Sequence, residues 1–133
     1  QHLSAELIGR FKKNRIPYKS ICLSADSVAT TCIANDFGYE NLFSRQIEAL
    51  GRPGDLLIVL STSGNSINIK KVLEMAASKN IQSISFLGKK GGIVKDIADY
   101  SLIINSNVTS RIQEMHSLIG HIICEIVEEE LSE

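Results

Sequence analysis

Apolar residues recur along the chain at two spacings, and each spacing predicts a kind of element. Leu3, Leu7, Ile8 and Phe11 fall at helical intervals and predict a helix over about residues 1–13. No capping residue and no initiator Met precede it, so the chain reads as starting inside a helix, and earlier residues of the native protein are expected to be missing. Pro17 breaks the pattern, and residues 18–24 read as a short strand. Asp26 can cap a brief helix over residues 27–34, because its carboxylate can accept first-turn amide protons. Asn35-Asp36-Phe37-Gly38-Tyr39 reads as a loop. Leu42, Phe43, Ile47 and Leu50 form the next helical stripe, stopped by Gly51-Arg52-Pro53-Gly54.

Residues 56–60 are apolar throughout, as in a strand covered on both faces. A helix over residues 66–79 follows, with Ile69, Val72, Leu73 and Ala76 inward, then a strand over 81–87. The loop 88–92 leads to a short helix ending near Ala98, and residues 100–104 make another strand. The final helix, about 110–130, carries Ile112, Met115, Leu118, Ile119, Ile122, Ile123, Ile126 and Val127. That exceeds what one buried face takes up, so a partner chain is expected over part of it. Strands alternating with helices predict an α/β fold, a doubly wound parallel sheet forming one domain over residues 1–133. Ligands of such sheets bind beyond the carboxyl ends of the strands.

At one such end stands Leu60-Ser61-Thr62-Ser63-Gly64-Asn65-Ser66. Its hydroxyls, with the N–H groups of a helix start, suit a phosphate. It is neither G-x-G-x-x-G nor G-x-x-x-x-G-K-[ST], which disfavours dinucleotides and nucleoside triphosphates. A turn rich in cap residues is the plainer reading, but the density of hydroxyls exceeds what capping requires.

His2 and Glu6, four apart, share one helix face. Gln113 and His121 lie eight apart, about 80° around their helix, and His116 is about 140° from His121. As spacings alone, such pairs occur more often on surfaces or in satisfied interiors than in sites. Arg10 is placed to pair with Glu6, Arg111 reads as a solvated first-turn residue, and Asn35-Asp36 is as consistent with a turn as with a site.

Charge and cysteine content narrow the function classes. The 133 residues carry a formal net charge of −1, without a polyanion footprint, so nucleic acid is not expected as a partner. The basic run Arg10-Phe11-Lys12-Lys13-Asn14-Arg15 reads as solvated surface. Cys22, Cys32 and Cys124 are widely spaced in apolar contexts and read as small buried hydrophobes of a reducing compartment. No apolar run approaches the roughly 20 residues of a membrane span, and a cytoplasmic protein is expected.

Together these segments resemble the sugar isomerase (SIS) domain family and, within it, the phosphoheptose isomerases. The resemblance rests on H-x-x-x-E at His2 and Glu6, Asn35-Asp36-Phe37-Gly38, Phe43-Ser44-Arg45, Gly54-Asp55, the Leu60–Ser66 stretch, Gly88-Lys89 with Gly91-Gly92, and R-I-Q-E-x-H-x-x-x-x-H from Arg111 to His121. It implies a flavodoxin-like or Rossmann-like fold whose first strand, with a Gly-Asn-Gly-Gly-Ser loop, is missing from this chain. It implies an aldose–ketose isomerase interconverting sedoheptulose 7-phosphate and D-glycero-D-manno-heptose 7-phosphate through an enediol, toward the heptose of lipopolysaccharide. By the same resemblance, Ser61, Thr62, Ser63 and Ser66 hold the phosphate, Glu6 is the base and His121 its acid partner. Arg10, Asp36 and Gln113 lie near the sugar. His2, Glu6, Gln113 and His121 bind Zn2+ in some members, and a tetramer shares its sites between subunits. The competing reading is a non-catalytic SIS module that binds phosphosugars or the bacterial replication initiator; such a module has no need of Glu6 and His121 together.

Overall fold

The computed structural model describes residues 1–132. Five helices and three strands follow in the order α1 (His2–Ile8), α2 (Ser27–Phe37), α3 (Leu42–Leu50), β1 (Leu56–Ser61), α4 (Ile67–Ser78), β2 (Gln82–Gly88), β3 (Tyr100–Ile104) and α5 (Thr109–Leu131). The strands form one parallel sheet in the order β1-β2-β3, with Ile58 opposite Ile84 and Phe86 opposite Leu102. Helix α4 makes the β1–β2 crossover and buries Ile69, Val72, Leu73 and Ala76 against Leu57, Val59 and Leu87. On the other face Phe86 is fully buried beside His116 of α5, their ring centroids 5.9 Å apart. The α/β reading and all four inward positions of α4 hold.

Several local expectations are corrected. The first helix stops at Ile8 rather than near residue 13, because beyond Gly9 the N–H groups of Phe11, Lys12 and Lys13 turn to the Glu128 carboxylate. Residues 18–24 form no strand. The Tyr18 N–H donates to the Leu7 carbonyl and the Ala25 N–H to that of Cys22 in a turn. An extended segment becomes a strand only with a ladder partner. The Asp26 cap is present, its Oδ1 accepting the Ala29 N–H at 2.9 Å, but α2 continues to Phe37. Asn35 and Asp36 are therefore helical, and Gly38 at φ 88° makes the stop.

The short helix expected before Ala98 shrinks to a 3-10 turn at Gly92–Val94. Strand β1 alternates in burial instead of being covered on both faces: Leu56 and Leu60 are each 52% exposed, since β1 is an edge strand and no helix lies over that side. Of the cysteines, all free, only Cys124 is buried. Cys32 is exposed, because α2 buries none of its residues, and Cys22 is half-buried beside Ser24.

Candidate functional site

The hydroxyl turn sits beyond the carboxyl end of β1, where the parallel sheet places ligand sites. Ser61 is buried and its Oγ accepts the Gly64 N–H at 3.1 Å, while Ser63 Oγ accepts the Asn65 N–H at 3.2 Å. Two of the four hydroxyls thus shape the turn, and each keeps its own proton to donate. Ser66 is the N-cap of α4 without a side-chain cap bond, while the Ile69 N–H is taken by Asn68 Oδ1 at 2.8 Å, which leaves the Ile67 and Asn68 N–H groups without an intrahelical partner. A cavity of about 370 Å³ opens there, lined by Tyr39, Glu40, Ser66, Ile67 and Asn68.

A second loop braces the turn. Val94 N–H donates to the Gly64 carbonyl and Ile93 N–H to Asn65 Oδ1, both at 3.1 Å. Gly64 and Gly92 approach so closely that a Cβ on either would collide with the other loop's backbone. This explains Gly92, while Gly91 is called for by its own left-handed φ of 86°.

The termini supply a second polar group. His2 and Glu6 of α1 meet His121 of α5, with donor atoms all within 4.8 Å of one another. His2 Nε2 lies 3.2 Å from Glu6 Oε1 and 2.9 Å from His121 Nε2. The Phe11 ring flanks His121 at 5.7 Å. Burial, and then the Glu6 charge, push the Cys124 thiol pKa up.

Two imidazoles and a carboxylate are donors that suit a zinc ion, and His2 stands 3.2 and 2.9 Å from the other two, near the about 3.3 Å expected between tetrahedral ligands 2.0–2.1 Å from the metal, with all three donor atoms within 4.8 Å. Gln113 is exposed on the same helix as His121, about 12 Å nearer its N-terminus. The remaining sequence candidates lie elsewhere. Arg10 is exposed past the end of α1 and the expected Glu6–Arg10 pair gives way to Glu6–His2. Asp36 is exposed, accepting from Asn35 Nδ2 at 2.7 Å. His116 is structural, its Nε2 donating to the Leu87 carbonyl at 3.0 Å.

Sequence reasoning missed Arg15 and Glu128. The basic run reads as solvated, yet the Arg15 side chain is 4% exposed and that of Glu128 2%, with Nε donating to Oε1 at 3.0 Å. Burial alone would raise the Glu128 pKa. Three backbone N–H groups and the Arg15 guanidinium outweigh it and hold it down at about 2. A buried acid two turns from His121 on one α5 stripe was the only available signal, and Glu129 and Glu130 beside it hide it.

Comparison with known proteins places the fold and the family. The SIS domain family model matches residues 1–88. The phosphoheptose isomerase of Akkermansia muciniphila is 47% identical over 131 residues, 98% of this chain and 69% of that protein. That of Aquifex aeolicus is 47% identical over 133 residues, 100% of this chain and 70% of its own length. The solved phosphoheptose isomerase from Francisella tularensis superposes with a TM-score of 0.93 at 33% identity, over 97% of this chain and 69% of that one. The one from Neisseria gonorrhoeae gives 0.91 at 35%, over 97% and 68%. The chain belongs to the SIS domain family. Its relatives at this level of identity are phosphoheptose isomerases, of whose length it spans about two thirds.

Proposed function

We propose that this chain carries the machinery of an aldose–ketose isomerase converting sedoheptulose 7-phosphate to D-glycero-D-manno-heptose 7-phosphate, the early heptose step toward lipopolysaccharide. The observation that carries it is the meeting of Glu6 and His121, from opposite ends of the sequence, in one group with His2. A non-catalytic phosphosugar module has no use for that meeting.

Proton transfer between adjacent carbons needs a base on the carbon side and a proton carrier on the oxygen side. Glu6 turns Oε1 to His2, which leaves Oε2 to take a proton from C1 of the ketose and return it to C2. His121 gives a proton to O2 as the enediol forms and recovers one from O1 as it collapses. Ser61, Thr62, Ser63 and Ser66 with the start of α4 hold the phosphate, and Arg10, Asp36 and Gln113 serve the sugar hydroxyls. His2, Glu6 and His121 are the residues that would hold zinc. When bound, it supplies a Lewis acid for the developing oxyanion.

The course of α5 supports a site shared between protomers. Ile112 packs at Gly88, beside the Thr62 carbonyl, and His116 follows at Leu87, so α5 descends away from the hydroxyl turn. His121 lies nine residues beyond Ile112, about 14 Å of axial rise further on. A turn from one subunit facing the polar group of another closes that gap, and the exposed stripe Met115, Leu118, Ile122 and Ile126 offers the apolar contact a tetramer needs. No helix among the described residues is long and apolar enough to cross a membrane. Three free thiols suit the cytoplasm.

In the full-length protein, Glu6→Gln is expected to lower kcat for sedoheptulose 7-phosphate by about a hundred- to ten-thousand-fold, read by appearance of the aldose. Turnover close to wild type would remove Glu6 from the mechanism.

A further inference from the structure

Helix α1 carries two members of the polar group, yet it has seven residues, no side-chain cap and no buried residue. A helix that short does not hold its own geometry, because nucleation costs more than so few bonds return. Its position has to be imposed from outside.

Both of its ends are tied to α5. At the N-terminal end His2 meets His121, and Leu3 packs over Gly120, where an added Cβ would stand 3.4 Å from Leu3 Cδ1. At the C-terminal end the Arg15 guanidinium donates from Nη2 to the Glu6 carbonyl at 2.8 Å and from Nη1 to that of Leu7 at 3.0 Å. These are last-turn carbonyls without intrahelical donors. Arg15 is itself held by Glu128 and by the Tyr18 ring, whose centroid lies 3.9 Å from Cζ. Glu128 also accepts the N–H groups of Phe11, Lys12 and Lys13 at 3.2, 2.8 and 2.9 Å. It stands seven residues after His121, about 20° around the helix. One stripe of α5 therefore presents the acid partner and, two turns on, the clamp that seats the helix bearing the base.

We propose that Arg15 and Glu128 are positioning residues for the proton transfer: through the Glu6 and Leu7 carbonyls they set the rotation and height of α1, and so bring Glu6 and His2 to His121. The inference rests on the isomerase reading for the role of Glu6. It adds residues outside both the hydroxyl turn and the His2–Glu6–His121 group. Lysine cannot reproduce the planar fork that reaches two carbonyls and a carboxylate at once.

The test uses full-length protein carrying Arg15→Lys or Glu128→Gln, with kcat, KM, melting temperature and the imidazole 15N resonances of His2 and His121. Misplacement of the base predicts a kcat per folded molecule lower by about ten- to a hundred-fold. KM stays close to wild type, since the phosphate is held by the distant hydroxyl turn, and both imidazole resonances move. In Arg15→Ala, guanidinium salt restores kcat where the same concentration of sodium chloride does not. A lower melting temperature with wild-type kcat per folded molecule and unmoved resonances would make the pair a plain structural anchor and overturn the proposal. If Arg15→Ala does not fold, Glu128→Gln decides, because it keeps an acceptor oxygen for the loop. If the wild-type protein leaves sedoheptulose 7-phosphate unchanged, the isomerase reading is what fails, and the resonances alone decide the positioning.

Discussion

At the scale of single residues, the turn after β1 depends on one backbone geometry more than on its hydroxyls. Gly64 has φ 65° and no space for a Cβ beside the Gly91 carbonyl. Gly64→Ala is expected to destabilise the protein by at least about 1–3 kcal/mol and to raise KM for the phosphosugar. Urea unfolding and steady-state kinetics would show it; unchanged KM and unfolding midpoint would mean the turn tolerates rearrangement. The hydroxyl cluster was legible in the sequence because it departs so far from ordinary capping. The inward turn of Ser61 was not: its Oγ accepts the Gly64 N–H within a turn whose Gly64 carbonyl and Asn65 side chain are tied to residues 93 and 94.

At the scale of elements, α4 was readable because its periodic apolar positions coincide with what the sheet buries, whereas β3 and α5 were readable from apolar runs much of which stays exposed, the buried stripe of α5 being Ile112, His116, Gly120, Cys124 and Glu128. The segment over 18–24 has the composition of a strand but no ladder partner among the described residues, and α1 ends shortly before Glu128 captures the amides of Phe11, Lys12 and Lys13. Both outcomes are tertiary decisions that local pattern does not encode. The clamp also carries a pH signature. Glu128 has a folded pKa lowered from 4.5 to about 2, so its contribution to stability is complete above 4.5 and is lost as the pH falls from there toward 2. Urea midpoints measured down this range should fall more steeply for wild type than for Glu128→Gln. Parallel curves would remove Glu128 from acid stability.

At the scale of the whole molecule, the sheet places the hydroxyl turn at one edge and α5 carries His121 away from it. A site completed between subunits predicts complementation. Mixing unfolded Glu6→Gln and Ser66→Ala full-length chains and refolding them together should restore part of the wild-type turnover, because some sites then hold both intact halves. Mixtures no more active than the separate variants would confine each site to one chain. The most direct measurement is the crystal structure of the full-length Glu6→Gln protein soaked with sedoheptulose 7-phosphate. The expected result has the phosphate on residues 61–66 and C1–C2 about 3–3.5 Å from the residue 6 carboxamide, with His121 on the oxygen side. A sugar whose first two carbons lie away from both residues, or a phosphate bound anywhere but that turn, would contradict it.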